Sequence, residues 1–147
     1  MNNACIALDE LGVKYEMKVS SAHRSPERTH QLVAQAERDG AAVFIAGAGM
    51  AAHLPGVVAS LTTKPVIGVP LAGSPLQGHD ALLAIVQMPP GIPVATVAIS
   101  GARNAGILAA QMIALADPAV AARLSESRVK MADGVVERSK KVERSSR

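Results

Sequence analysis

The stretch Ser21-Ala22-His23-Arg24-Ser25-Pro26 sets a titratable imidazole beside a fixed cation. Imidazole gives and takes protons near neutral pH, whereas a guanidinium stays charged and grips phosphate or carboxylate with a planar fork of N–H donors. Ser21 adds a hydroxyl and Pro26 stiffens the exit. A second group follows in Gly47-Ala48-Gly49-Met50-Ala51-Ala52-His53-Leu54-Pro55-Gly56. Glycines here let backbone amides approach a ligand without interference from a Cβ, and His53 supplies a second imidazole. Each group alone is a weak signal, since a single loop histidine is commonly a surface residue and His53 could simply tether its own loop. Together they point to proton transfer on a small anionic molecule.

Other chemistries lack candidates. Gly47-Ala48-Gly49 does not extend to G-x-G-x-x-G, because Ala52 takes the last place, and no phosphate-cradling loop with a following Lys is present. His30 falls inside a helical pattern and His79 opens one, and neither stands at metal-ligand spacing from Cys, Asp or Glu, so no metal site is expected. No G-x-S-x-G elbow occurs, and the carboxylates are scattered over helices, which leaves serine hydrolysis and paired-carboxylate glycoside chemistry without residues.

The elements that must position these groups follow from periodicity. Ala4, Ala7, Leu8 and Leu11 form an apolar stripe at helical spacing that Gly12 ends. Residues 15–19 read as a strand, 26–39 as a helix stopped by Gly40, and 42–46 as an apolar strand running into the glycine-rich turn. A short helix near 55–61, a buried strand at 65–69, an irregular Pro/Gly/Ser loop over 70–78 and a helix at 79–86 come next. After the break at 87–91, a strand at 93–99, a small-residue helix at 104–116 and a final helix capped by Asp117-Pro118 run to about Arg138. Strands alternating with helices predict a three-layer α/β sandwich around a parallel sheet, in one domain spanning 1–138, with a flexible basic tail at 139–147. Both histidine groups then fall on βα loops, at the rim where open α/β sheets bind ligands.

Composition narrows the partners. The 147 residues carry no Trp, one Phe and one Tyr, so base-stacking on aromatic side chains is nearly unavailable. The net charge of +3 comes from the end of the chain: Arg123, Arg128, Lys130, Arg138, Lys140, Lys141, Arg144 and Arg147 lie there, and the body before them is close to neutral. No nucleic-acid stripe is implied. A single cysteine, Cys5, sits in an apolar helical pattern and fits a reducing compartment. No apolar run is long enough for a membrane span and Met1-Asn2-Asn3 lacks a basic leader, so a cytoplasmic protein is expected. The alanine-rich helix at 104–116 and the long final helix are apolar beyond what one small domain covers, which suggests self-association.

The same two motifs closely resemble those of the PurE family, the N5-carboxyaminoimidazole ribonucleotide mutases of purine biosynthesis. Gly68-Val69-Pro70, Ile85-Val86-Gln87-Met88-Pro89, Gly91-Ile92-Pro93-Val94 and Asn104-Ala105-Gly106-Ile107-Leu108-Ala109-Ala110-Gln111 stand in the family order, so the resemblance spans nearly the whole chain. Ala-Ala-His-Leu-Pro looks like the class I mutases and not the class II carboxylases of animals. The resemblance implies a flavodoxin-like fold of strand order 2-1-3-4-5, a homo-octamer, a ribonucleotide substrate, CO2 as an intermediate, and neither metal nor organic cofactor. It implies His23 as the acid/base, Arg24 on the ribose phosphate with Ser21 beside it, and a loop including Ala48, Gly49, Ala51, His53 and Leu54 around the aminoimidazole and CO2.

Met50 and Pro90 depart from the family, where many members carry Gly and Arg. Family members also begin with a strand and a Gly-Ser-x-Ser-Asp-Trp loop that contacts phosphate and ribose, and neither stands ahead of the first helix here. The expectation is that about 20 residues, including a central strand, are missing through a mis-assigned initiation codon or an expression boundary. If the short form is native, weak substrate affinity and little turnover are expected. The alternatives to a mutase are a PurE-like subunit that only binds nucleotide or assembles, and an aminoimidazole ribonucleotide carboxylase using free CO2.

Overall fold

A computed structural model describes residues 1–145. In chain order the elements are α1 (Asn2–Glu10), α2 (Pro26–Arg38), β1 (Phe44–Gly49), α3 (Leu54–Ser60), β2 (Val66–Leu71), α4 (His79–Val86), β3 (Ala95–Thr96), α5 (Ala102–Ala114) and α6 (Pro118–Ser145). The strands form a parallel sheet in the order β1-β2-β3, with Phe44 opposite Val66 and Ile67 opposite Ala95.

Strand alternation sends neighbouring side chains to opposite faces, and both faces are covered. Ile67 and Val69 pack with Ala4 and Leu8 of α1 and with Ala102, Ala105 and Ala109 of α5. On the other face Val66 joins Ala46, Val33 of α2, and Val58 and Ala59 of α3. The predicted three layers are therefore present. Small residues let them approach closely: a Cβ on Gly68 would come within 2.4 Å of Ile85 in α4.

The amino-terminal stripe is buried as its spacing requires, and Gly12 adopts the left-handed φ of +64° that ends α1. At the other end Asp117 caps α6, its Oδ1 accepting the N–H groups of Ala119 and Val120 at 2.9 and 3.1 Å.

Four expectations are corrected. Residues 15–19 form no strand: Met17 and Val19 are exposed, the latter at 85%, and the edge of β1 away from β2 pairs with no strand among the described residues. A β-prone run becomes a strand only where a neighbour takes its backbone bonds. Gly47-Ala48-Gly49, read as a turn, instead continues β1, because β2 extends through Pro70 and Leu71 to pair with it. Helix α6 runs through Ser145, past the expected end near Arg138, with Lys140 to Glu137 and Ser139 to Glu143 contacts along it; positions 146–147 lie outside the described residues. Finally, the alanines of α5 are largely used up inside the chain, Ala105 and Ala110 being wholly buried, so they give no argument for a second copy.

Candidate active site

The carboxyl ends of the strands form one rim. On its first side, the 20–25 segment is folded into a tight turn by its own hydroxyls. Ser21 O accepts from Ser25 N at 2.9 Å and from Ser25 Oγ at 3.1 Å, while Ser21 Oγ accepts the Arg24 N–H at 3.2 Å. Thr29, the one buried polar side chain among the described residues, ties this turn to α2: its Oγ1 donates to Ser25 O and lies 2.7 Å from Ser20 Oγ. Arg28 Nε donates to Val19 O at 3.1 Å and closes the segment from below. Sequence reasoning passed over Ser20, Arg28 and Thr29; the i to i+4 spacing of Ser25 and Thr29 at a helix start was the available signal.

This turn leaves His23 and Arg24 exposed, and no side-chain partner engages the Arg24 guanidinium among the described residues. The cation is available to an anion. Facing it, β1 delivers Ala48 and Gly49, half-buried beside Pro70 and Leu71 of β2. Met50 then turns the chain with a φ of +54°, Ala51 is exposed, Ala52 is 1% exposed and anchors the loop in the core, and Leu54 begins α3 with its side chain packed below. The His53 N–H donates to Ala51 O at 2.8 Å, so backbone geometry sets where this imidazole stands.

The two loops meet through their histidines. His23 Nε2 and His53 Nδ1 are 2.6 Å apart, with ring centroids at 4.7 Å and planes crossed at 82°. One ring donates to the other along an in-plane lone pair. Of the residues singled out above, Ser21, His23 and Arg24 therefore share one turn, Ala48, Gly49, Ala51, His53 and Leu54 the other, and the imidazole pair joins them.

Loops after β2 and β3 complete the rim. Ser74 Oγ donates to Asp80 Oδ1 at 2.8 Å, and Ser100 N donates to Pro70 O at 2.8 Å. Three non-glycine residues have positive φ among the described residues: Met50, Gln77 at +53° and Ser100 at +58°. Each lies beyond the end of a different strand. Backbone strain of that kind gathers at functional sites. A groove of about 870 Å³ lies at the other end of the sheet, against Leu61, Lys64, Ile92 and Met112, and brings no histidine together.

Comparison with known proteins places the chain. The family described as AIR carboxylase matches residues 1–134. The chain belongs to the AIR carboxylase family. An N5-carboxyaminoimidazole ribonucleotide mutase of Thermotoga maritima is 50% identical over 143 residues, covering 97% of this chain and 84% of that protein. The Bacillus subtilis protein of the same name is 52% identical over 141 residues, covering 95% and 87%. A phosphoribosylaminoimidazole carboxylase of Schizosaccharomyces pombe is 49% identical, but the matching part is 26% of its length. Among solved structures, PurE of Treponema denticola superposes with a TM-score of 0.84 at 24% identity, covering 95% of this chain and 87% of that one. That likeness concerns the fold, and it makes this member of the AIR carboxylase family flavodoxin-like, as the motif resemblance implied.

Proposed function

We propose that this chain is an N5-carboxyaminoimidazole ribonucleotide mutase, an isomerase of purine biosynthesis that moves a carboxylate from N5 to C4 of the aminoimidazole. Relatives bearing that name are about half identical over nearly all of this chain and most of their own length, whereas the carboxylase match is a fraction of a longer protein. The observation that carries the chemistry is the imidazole of His23, held beside an unengaged Arg24 and in contact with His53 across the strand ends.

In this scheme Arg24 binds the ribose phosphate, with the Ser21 hydroxyl beside it. His23 protonates N5 as the N5–carboxylate bond breaks and CO2 is freed. The π-electrons at C4 then attack CO2, and His23 takes the C4 proton as the ring regains aromaticity. Ala48, Gly49, Ala51, His53 and Leu54 wrap the aminoimidazole and CO2, keeping the intermediate from escaping. No metal or organic cofactor enters the scheme. The proposal includes a cytoplasmic homo-octamer, the octamer as the motif resemblance implies; the single half-buried Cys5 agrees with a reducing compartment.

The test follows 4-carboxy-5-aminoimidazole ribonucleotide by absorbance after adding N5-carboxyaminoimidazole ribonucleotide without bicarbonate. Turnover that is independent of bicarbonate, and that falls about 10²-fold or more in His23→Asn, is the expected result. Dependence on added bicarbonate would point to a carboxylase, and a His23→Asn enzyme as active as the parent removes His23 from the acid/base role.

A further inference from the structure

The contact between the two imidazoles assigns different work to each ring nitrogen. His23 Nε2 and His53 Nδ1 share one proton over 2.6 Å, which leaves His23 Nδ1 and His53 Nε2 as the outward atoms. Two neutral tautomeric arrangements satisfy such a bond, one with His23 donating and one with His53 donating.

The mutase reading, on which this step rests, decides between them. To protonate N5, His23 must be an imidazolium, and an imidazolium carries a proton on both nitrogens. Its Nε2–H then donates, and His53 Nδ1 must be a bare lone pair. The proton given to N5 comes from His23 Nδ1, the one nitrogen of that ring not engaged with His53. Once it has left, the Nε2–H remains, still bonded to His53, and His23 Nδ1 presents the lone pair that later takes the C4 proton. We infer that His53 is a positioning residue for His23: by accepting the Nε2–H it fixes the tautomer in which Nδ1 gives and receives the migrating proton, the orienting part that the aspartate has in a serine-protease triad.

The atoms balance over one turnover. The electron pair of the N5–carboxylate C–N bond stays on N5, which takes the proton from His23 Nδ1, and CO2 departs. The new C4–C bond uses the π-pair of the ring. The C4–H pair then returns to the ring and its proton to His23 Nδ1, so the histidine pair ends with the proton count it began with. His53 keeps its own proton on Nε2 throughout. That N–H points outward from the pair as a fixed donor, suited to an oxygen of the migrating carboxylate.

The geometry of both rings is set by elements that hold without substrate. His23 sits in the serine-closed turn, and His53 is carried by the Met50–Ala52 loop anchored through Ala52. The pairing is therefore a property of the free protein and is measurable there.

Nitrogen-15 NMR of the free protein labelled in its histidines, at neutral to mildly alkaline pH, gives the direct test. The expected spectrum shows His23 protonated at Nε2 and bare at Nδ1, and His53 bare at Nδ1. In His53→Leu the His23 signals collapse to the averaged pattern of an exchanging imidazole. The same variant should lose about 10²-fold in kcat with little change in KM, whereas His53→Asn, whose carbonyl oxygen can accept the Nε2–H, should recover at least tenfold of that loss. A His23 protonated at Nδ1, a tautomer unaltered by His53→Leu, or a His53→Leu kcat within twofold of the parent overturns the assignment. A parent protein that shows the paired spectrum yet has no mutase activity overturns the mutase reading instead, which keeps the two failures apart.

Discussion

Gly106 of α5 lies directly against the backbone of Ala4 in α1: a Cβ at position 106 would stand 2.7 Å from Ala4 O and 3.1 Å from the Ala7 methyl. No side chain at position 106 would fit between the two helices without a shift, and the sheet-side core behind them includes Ala105 and Ala109.

Gly106→Ala should therefore destabilise the fold by about 1–3 kcal/mol, the range for forcing a methyl into a packed interior. In an exposed helix the same change would stabilise by about 1 kcal/mol. Urea denaturation distinguishes the two signs, and a gain in stability would mean that α1 and α5 are not in this contact.

Met50 pays a conformational penalty at φ +54°. A left-handed non-glycine residue costs about 1–2 kcal/mol, and glycine at the same place returns most of that while adding about 0.4–1 kcal/mol of freedom to the unfolded chain. Met50→Gly should give a net gain of about 0.5 kcal/mol, and Met50→Ala none. Equal midpoints for the two variants in chemical denaturation would rule out a strained loop.

Tyr15 gives an optical titration free of interference, being the single tyrosine in a chain without tryptophan. Its hydroxyl donates to Asp9 Oδ2 at 3.0 Å, and this bond, with the nearby carboxylate charge, holds the phenol protonated up to a pKa of about 12. Because the folded value lies above the unfolded one of 10.0, the stabilisation is complete below pH 10 and is lost as pH rises through about 12. Tyrosinate absorbance should rise with a midpoint near 12, and Asp9→Ala should bring that midpoint back toward 10.

Two arginines that look alike in sequence should differ in worth. Arg103 pairs with Glu10 at 2.6 Å, but both side chains are half exposed, so Arg103→Ala should change stability by less than about 1 kcal/mol. Arg123 donates from Nε to Leu11 O at 2.6 Å from a partly buried position, and fills the space above Gly12. Arg123→Ala should cost about 1.5–3 kcal/mol, since it strips a charged donor from a carbonyl at the end of α1. Thermal unfolding of the two variants side by side checks the order.

Much of this was legible in the sequence where local signals agree with packing. The Ala4, Ala7, Leu8, Leu11 stripe and its Gly12 stop are visible as spacing alone, and both are realised. His53 could be placed on a βα loop, because it follows an apolar strand and precedes a helix start; His23 precedes the start of α2 as expected, but the run before it is no strand, so its loop joins two helices. Their mutual contact could not be placed: it depends on a turn closed by Ser21 and Ser25 and on a left-handed Met50, neither of which a residue pattern encodes. Residues 15–19 carry strand propensity and no strand, since pairing is a property of neighbours. Gly47 to Gly49 carry turn composition and lie in a strand, since β2 supplies the partner that composition cannot show.

The three left-handed residues, Met50, Gln77 and Ser100, have a use for redesign. A rim whose contour is written in main-chain turns, one beyond each strand, keeps its outline when the side chains on it are exchanged. Substitutions among residues that accept such a turn, Asn, Asp and Gly first, can alter what the rim offers a ligand while leaving the imidazole pair where it stands. Selection for a changed ligand would begin at these three positions.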